Sequence, residues 1–208
     1  MQKVGVYLNK REIAQEIIIN KGGIAKTSDF ISAGMKNYEV ASLCKDGFIK
    51  RIKHGFYQLP QSTITTDEQL IKEMLPQGII CVESSLFHYG YSDFLPRKWT
   101  VAVPRTAFRT VKKVQEIPLK AYYIQKEFID LGKTTDCFNG VFLPVYDRER
   151  TLCDCFKYRT KLDSELFIKA VNAYAVDNKK NLANLSIYSK KMHLYKKIMN
   201  IMEVLLNG

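Results

Sequence analysis

Apolar side chains recur along the chain with two spacings, and each spacing predicts a different kind of element. Spacing of three and four residues in residues 9–20 predicts an amphipathic helix that Asn9 can cap. The core stripe of this helix consists of Ile13, Ile17 and Ile18. After a Lys-Gly-Gly stop, Ile24 and Ala25 are long enough for a short strand. The chain therefore opens with a helix and a strand.

Residues 27–59 predict a helix, a tight turn, a second helix and a β-hairpin. Thr27 or Ser28 can cap the first helix, and Gly34 suits the turn because glycine tolerates left-handed backbone geometry. Asn37 can cap the second helix, over residues 38–45. Two short helices joined by about three residues make a helix-turn-helix unit.

The second helix has two different faces. Its inward face is formed by Val40, Leu43 and Cys44. The opposite face can donate hydrogen bonds or offer positive charge to a DNA groove, and it carries Tyr38, Ser42 and Lys45, with Lys36 before the helix. A solvated surface is the alternative, because half of any amphipathic helix is polar.

The hairpin that follows favours nucleic acid. Residues 49–52 and 56–59 are short strand-type runs around a His-Gly turn. Four basic side chains crowd this ribbon and its tip: Lys50, Arg51, Lys53 and His54. Such a cluster repels itself unless it faces solvent or a polyanion, so we expect a basic wing beside a phosphate backbone. The segment as a whole predicts a winged helix-turn-helix.

The rest of the chain predicts a mixed domain. Residues 60–66 are polar, begin with proline and predict a linker, followed by a helix over 67–75. Strand-type runs then occur at 79–82, 99–103, 119–124 and 141–146, with a helix-like piece at 83–89. From about residue 147 helical spacing predicts four helices: 147–158, 163–176, 182–191 and 193–206. We therefore expect an α+β (mixed) fold with domains at 1–60 and 67–208.

Charge and composition indicate which class of partner the chain suits. The 208 residues carry a net charge of +11 with 46% hydrophobic residues, enough for a core and suited to an acidic partner, nucleic acid first. The five cysteines form no secreted-type framework, the first residues lack the apolar core of a signal peptide, and no apolar run approaches a membrane span. We expect a cytoplasmic protein without a membrane or a cofactor.

Two chemical sites are weighed against structural roles. Asp147, Glu149 and Asp154 could be paired carboxylates of a metal-dependent nucleic-acid enzyme, such as a nuclease or transferase. A capping role for Asp147 and an ion pair between Arg150 and Asp154 explain the same residues. A zinc site could draw on Cys153, Cys155, His88 and His193, against a core role for the cysteines. Three lysine doublets near the C-terminus suit a solvated surface or a second acidic partner.

The chain resembles the AbiEi antitoxins of bacterial abortive-infection (type IV) toxin–antitoxin systems. The N-terminal resemblance lies in the small-residue turn, residues 43–49 and the wing at residues 51–57. The C-terminal resemblance lies in residues 98–104 and 145–154, which are similar to the family's antitoxin domain. Glu39 and Asp46, beside the reading face, depart from the pattern.

The resemblance implies an autorepressor that binds double-stranded DNA at repeated half-sites in its own promoter, as a monomer or with weak self-association on DNA. It also implies a phage-defence role, in which the C-terminal domain counters a nucleotidyltransferase-like toxin without requiring a stable complex. No catalytic or metal residue is expected. The expected DNA contacts are Ser28, Lys36, Asn37, Tyr38, Ser42, Lys45, Lys50, Arg51, Lys53 and His54. The alternatives are the metal-dependent enzyme and an adaptor whose winged helix contacts protein.

Overall fold

The computed structural model describes residues 9–60 and 66–207. The chain forms two compact units, one ending at Glu73 and the other beginning at Met74. Helices and strands occur in both units, and this mixture confirms the predicted α+β class. Residues 61–65 of the expected linker lie outside the described residues.

The first unit has the element order of a winged helix-turn-helix. Its elements are α1 (Lys10–Asn20), β1 (Ala25–Lys26), α2 (Thr27–Ser32), α3 (Asn37–Lys45), β2 (Lys50–Lys53) and β3 (Phe56–Gln58), followed by α4 (Asp67–Met74), which crosses the division between the units. Strand β3 lies between β1 and β2 and is antiparallel to both. The predicted short strand after α1 is confirmed, one residue later than expected.

A small apolar core holds these elements together. Its buried side chains come from the three N-terminal helices, the sheet and the connections between them: Ala14, Ile18, Ala25, Phe30, Met35, Val40, Leu43, Ile49 and Tyr57. Asn9 caps α1 as expected, because its side chain accepts the backbone N–H of Arg11. An ion pair between Lys26 and Glu73, 3.0 Å from Nζ to Oε2, ties α4 to this unit. The first compact unit includes residues 67–73, which follow the expected linker.

The second unit is built on a mixed five-stranded sheet. Its strands are β4 (Ile79–Ile80), β5 (Trp99–Pro104), β6 (Leu119–Ile124), β7 (Lys133–Phe138) and β8 (Val141–Tyr146), in the spatial order β6-β5-β4-β8-β7. Strand β4 pairs antiparallel with β5 and parallel with β8. Strands β5 and β6 are parallel, whereas β7 and β8 form an antiparallel hairpin.

Helices α5 (Val82–His88), α6 (Phe108–Lys112), α7 (Arg148–Lys157), α8 (Ser164–Val176), α9 (Leu182–Lys191) and α10 (Tyr195–Asn207) complete this unit. The four helices expected from residue 147 are confirmed as α7 to α10. Their apolar sides share one core with the sheet, in which Tyr146, Leu152 and Tyr174 are fully buried. Helix α7 packs against β8 and α5, and helices α8, α9 and α10 pack around it.

Strand β7 was not expected from the sequence, although a signal for it exists. Asn139-Gly140 joins β7 to β8, and both residues have positive φ, 47° and 82°. Asn-Gly is the pair that two-residue hairpin turns favour, because both central residues need that geometry. The residues of β7 are mostly polar and lack the apolar pattern by which a strand is recognised. They are polar because β7 lies at the edge of the sheet and is largely exposed.

Candidate nucleic-acid interface

Acidic side chains, rather than the expected caps, start both helices of the helix-turn-helix. The backbone N–H of Lys26 donates to Asp29, and that of Lys36 donates to Glu39, each at 2.7 Å. Thr27, Ser28 and Asn37 lie inside the helices that they were expected to cap, so those predictions are wrong. A carboxylate at the third helical position reaches back to the N–H before the helix, and here it replaces a side chain on the capping residue itself.

The turn between α2 and α3 spans residues 33–36, one more than expected. Met35 fills it from within: its side chain is buried with Phe30, and its N–H donates to the Phe30 carbonyl at 3.0 Å. This apolar plug fixes the position of α3 relative to α2. The exposed side of α3 is therefore held in one orientation by the core.

The two faces of α3 are those that the sequence predicted. Val40 and Leu43 are buried, and Cys44 is half-buried. On the other side Ser42 and Lys45 are exposed, and Tyr38 is 66% exposed. A tyrosine left this open on a short helix presents both an aromatic ring and a hydroxyl to a partner. Lys36 approaches this ring, with Nζ 5.9 Å from the centroid.

The two acidic residues beside this face have structural partners. The Glu39 carboxylate accepts the Lys36 N–H and forms an ion pair with Lys10 of α1, 3.1 Å from Nζ to Oε1. Asp46 accepts a hydrogen bond from the Ser42 hydroxyl at 3.4 Å. The charge of Glu39 is thus offset within the unit, and a phosphate meets less repulsion there than the sequence indicated. Lys10 is a cation near α3 that sequence reasoning missed, because its partner lies 29 residues away.

The acid titration of Glu39 gives a first test of this geometry. The Lys36 N–H, followed by the hydrogen bond from Lys10, lowers the pKa of Glu39 below its ordinary value. Because a lowered pKa favours the ionised folded state, this stabilisation holds above the ordinary glutamate range and disappears as pH falls through the folded-state pKa. NMR titration of the Glu39 carboxyl should show the lowered midpoint. Lys10→Ala should raise that midpoint only partway, since the Lys36 N–H remains; a wild-type midpoint at the ordinary value would contradict the assignment.

The wing is a short, irregular hairpin with a two-residue turn. Strands β2 and β3 pair Arg51 with Tyr57 and Lys53 with Phe56, and a bulge falls between Arg51 and Lys53. Gly55 has φ +82°, and its carbonyl accepts the backbone N–H of Thr27 at 2.9 Å. The tip of the wing is therefore fastened to the start of α2, which limits how far the ribbon can swing.

The basic side chains of the wing are concentrated on its exposed surface. Lys50, Arg51 and His54 are exposed, and Lys53 is half-buried. The Arg51 guanidinium contacts His54 Nδ1 at the turn. Of the other expected contacts, Ser28, Lys36 and Asn37 are exposed as well. Every expected DNA-contacting residue thus lies in the first unit with at least part of its surface open.

The carboxylates of the enzyme alternative are each engaged in a separate structural bond. Asp147 caps α7 by accepting the Arg150 N–H at 2.8 Å, and Glu149 accepts the Asn181 N–H at 2.7 Å. Asp154 pairs with the buried Arg150 guanidinium at 3.2 Å. Burial raises the pKa of both Asp147 and Asp154, which disfavours the ionised form that a metal would need. Within residues 9–60 and 66–207, no three His, Cys, Asp or Glu side chains are grouped to hold a metal ion.

The cysteines and His88 of the zinc alternative also have structural roles. Cys153 and Cys155 are fully buried in the core of the second unit, and burial raises the pKa of both thiols. His88 instead stacks on Phe138 at 4.0 Å between ring centroids and contacts Asp136 at 2.8 Å. Cys153 and Cys155 thus act as small apolar core residues.

Among the helices of residues 9–60 and 66–207, none combines the length and the hydrophobicity that a membrane span requires.

Comparison with known proteins supports a DNA-binding role for the N-terminal unit. A family model described as "Transcriptional regulator, AbiEi antitoxin" matches residues 12–60, which run from α1 through the wing. This match supports a DNA-binding antitoxin regulator role. The chain is also similar to the crystal structure of the Rv2827c protein from Mycobacterium tuberculosis, with a TM-score of 0.58 and 11% identity over 93% of this chain and 80% of that one. At 11% identity this likeness shows a similar fold and nothing more. No curated protein matches the chain.

Proposed function

We propose that this protein is a transcriptional autorepressor and antitoxin, which binds repeated half-sites in its own promoter through the winged helix. One observation carries the proposal: the polar face of α3 and the basic wing are both exposed. Both lie in the segment that matches the family model of antitoxin regulators. Tyr38, Ser42 and Lys45 enter the major groove. The wing residues contact phosphates or the neighbouring minor groove.

The electrostatics of the wing support a polyanionic partner. Lys50 and Arg51 are exposed and have no ion pair with a carboxylate among the residues that the structure describes. Like charges on adjacent positions repel, so binding to phosphates relieves that repulsion as well as releasing counterions from the DNA. Because the core and the Thr27–Gly55 hydrogen bond hold helix and wing in place, little ordering is needed on binding.

The antitoxin role is proposed for the second unit. It counters a nucleotidyltransferase-like toxin without a stable complex being required, in the cytoplasm and without a cofactor. The test is co-expression of this chain with the reading frame downstream of its gene. A nucleotidyltransferase-like product that arrests growth, and growth restored by residues 74–208 as well as by the full chain, would support the assignment. A neighbour that is harmless alone would contradict it.

Binding to the promoter tests the repressor role directly. The full chain should bind duplex DNA from upstream of its gene more tightly than a shuffled duplex of equal length. The ratio should be at least about 1,000, the lower end for specific DNA-binding proteins. Affinity for both duplexes should fall steeply with salt, because phosphate contacts release counterions. Equal affinity for the two duplexes, or binding that does not change with salt, would contradict the proposal.

Tyr38→Ala and Ser42→Ala together should reduce specificity while leaving general DNA affinity in place. Each lost base contact is worth about 1–3 kcal/mol, so loss of the two should lower promoter affinity by at least about 30-fold. Affinity for the shuffled duplex should change little, because the phosphate contacts of the wing remain. Both residues are exposed, so the melting temperature should not move. Equal losses on both duplexes would mean that this face does not contact bases.

A further inference from the structure

The connection between β5 and β6 carries a second concentration of positive charge. Residues 105–113 read Arg-Thr-Ala-Phe-Arg-Thr-Val-Lys-Lys, with four cations and no acidic residue. They form a 3₁₀ turn (Arg105–Ala107) that runs into α6. We name the crossover patch the set of exposed residues on this connection and the adjoining strand: Arg105, Phe108, Arg109, Lys112, Lys113 and Tyr123. The proposed repressor and antitoxin roles make no use of it.

The cations of the crossover patch are exposed and have no carboxylate partner in the described part of the chain. Other lysines of the same unit do have partners: Lys120 pairs with Glu83 at 2.5 Å, and Lys169 pairs with Asp93. The unit therefore offsets part of its surface charge internally and leaves this patch uncompensated. Four cations within nine residues create a local positive potential that attracts an anionic chain.

Two exposed aromatic rings lie among these cations. Phe108 is 53% exposed and Tyr123 is 37% exposed, with ring centroids 5.8 Å apart at an interplanar angle of 46°. Tyr122, the neighbour of Tyr123 on β6, is buried with 4% exposure. Because side chains alternate along a strand, burial of one ring directs the other to the outer face. The two rings form an apolar surface that the described residues leave partly exposed.

The sheet topology brings further charge to the same edge. Strands β5 and β6 are parallel, and Pro104 pairs with Ile124 at their carboxyl ends. Arg105 leaves the end of β5, and Lys126 follows shortly after the end of β6, beside the exposed Glu127. Ala107 is buried and anchors the 3₁₀ turn. In open sheets with parallel strands, ligands are commonly bound outside the carboxyl ends of those strands.

We propose that the crossover patch binds single-stranded nucleic acid. The cations contact successive phosphates, and unpaired bases stack on Phe108 and Tyr123. Cations interleaved with exposed aromatic rings are the combination that single-strand binders use. Duplex DNA keeps its base faces stacked inside the helix, so it would leave both rings unused. The patch shares no residue with the duplex site proposed for the first unit, and either assignment can fail without the other.

The probe is a fluorescein-labelled oligouridylate of about 20 nucleotides, long enough to cover a patch of this kind. Its binding to the full chain is followed by fluorescence anisotropy at several salt concentrations. Phe108→Ala with Tyr123→Ala should lower affinity by at least about 30-fold, because two stacking contacts are lost. The dependence on salt should stay the same, since no charge is removed. Tyr123→Phe keeps a ring and is the matched control, which should bind like wild type.

Arg105→Gln, Arg109→Gln and Lys112→Gln together should lower affinity and also reduce the salt slope by about 2, from three lost contacts to a single strand. The wing variant Lys50→Ala, Arg51→Ala, Lys53→Ala should still bind the oligouridylate. Melting curves accompany each variant, and Arg109→Gln alone replaces the triple variant if that one is unfolded. Crosslinking of a 4-thiouridine probe should map to the peptide containing Phe108 or Tyr123.

Three outcomes would overturn the proposal. The wild-type chain could fail to bind the oligouridylate, or crosslinks could map only to the first unit. The double aromatic variant could bind as tightly as wild type, which would reduce the patch to a charged surface that suits an acidic protein instead.

Discussion

Replacing Lys50, Arg51 and Lys53 with alanine is expected to lower affinity for the promoter duplex about 100-fold at about 0.15 M salt. The slope of log affinity against log salt should fall by about 2.7, because each lost phosphate contact removes about 0.9 from it. The loss should be similar on promoter and shuffled DNA, since phosphate contacts do not carry sequence information. This pattern is the reverse of the one expected for Tyr38 and Ser42.

The control for the wing removes the same charge from another part of the chain. Lys191, Lys196 and Lys197 are exposed in or beside the last two helices. Their replacement by alanine lowers the net charge equally, so it tests whether general basicity explains binding. We expect promoter affinity to fall far less than for the wing variant. If both variants lose the same affinity and slope, the duplex is held by overall charge and the wing has no special role.

Arg150→Ala is expected to destabilise the chain by about 3–5 kcal/mol, as removal of one partner from a buried ion pair does. The Arg150 side chain is completely buried. Its Nε donates to Asp154, and its Nη1 donates to the carbonyls of Phe128 and Leu131 at 2.6 and 2.8 Å. The alanine variant would leave a buried carboxylate and two carbonyls without a donor. Gly132 follows Leu131 in the chain, and its backbone packs directly against Arg150. A Cβ added to Gly132 would lie 2.5 Å from the Arg150 Cβ.

Urea denaturation of two variants separates charge burial from packing. Arg150→Met with Asp154→Leu removes both charges and keeps much of the volume, so it should be more stable than Arg150→Ala. Burial raises the pKa of Asp154 even beside Arg150, and loss of that cation raises the pKa further. A raised folded-state pKa means that stability is lost as pH rises through it, so Arg150→Ala should regain stability as pH falls from neutral. The double variant should not, and identical pH profiles would argue against an unpaired carboxylate.

The local elements of the first unit follow largely from sequence. Apolar spacing places α1, α3 and the wing, because each has one face in a small core and one in water. The caps of α2 and α3 do not follow, since a threonine, a serine or an asparagine looked as suitable as the carboxylates of Asp29 and Glu39. Which side chain reaches the free N–H depends on backbone angles that the residue types leave open. The expected DNA contacts stay a prediction until binding is measured.

Sequence by itself determined the basic, polar character of residues 36–54 and the helical stripe of the last four helices, because both depend on neighbours within a few positions. Only the tertiary structure decided how distant charges are used. It pairs Glu39 with Lys10, buries Arg150 beneath the carbonyls of Phe128 and Leu131, and leaves the cations of residues 105–113 without a described carboxylate. Electrostatic energy depends on distance and burial in space, and neither quantity can be read from separation along the chain.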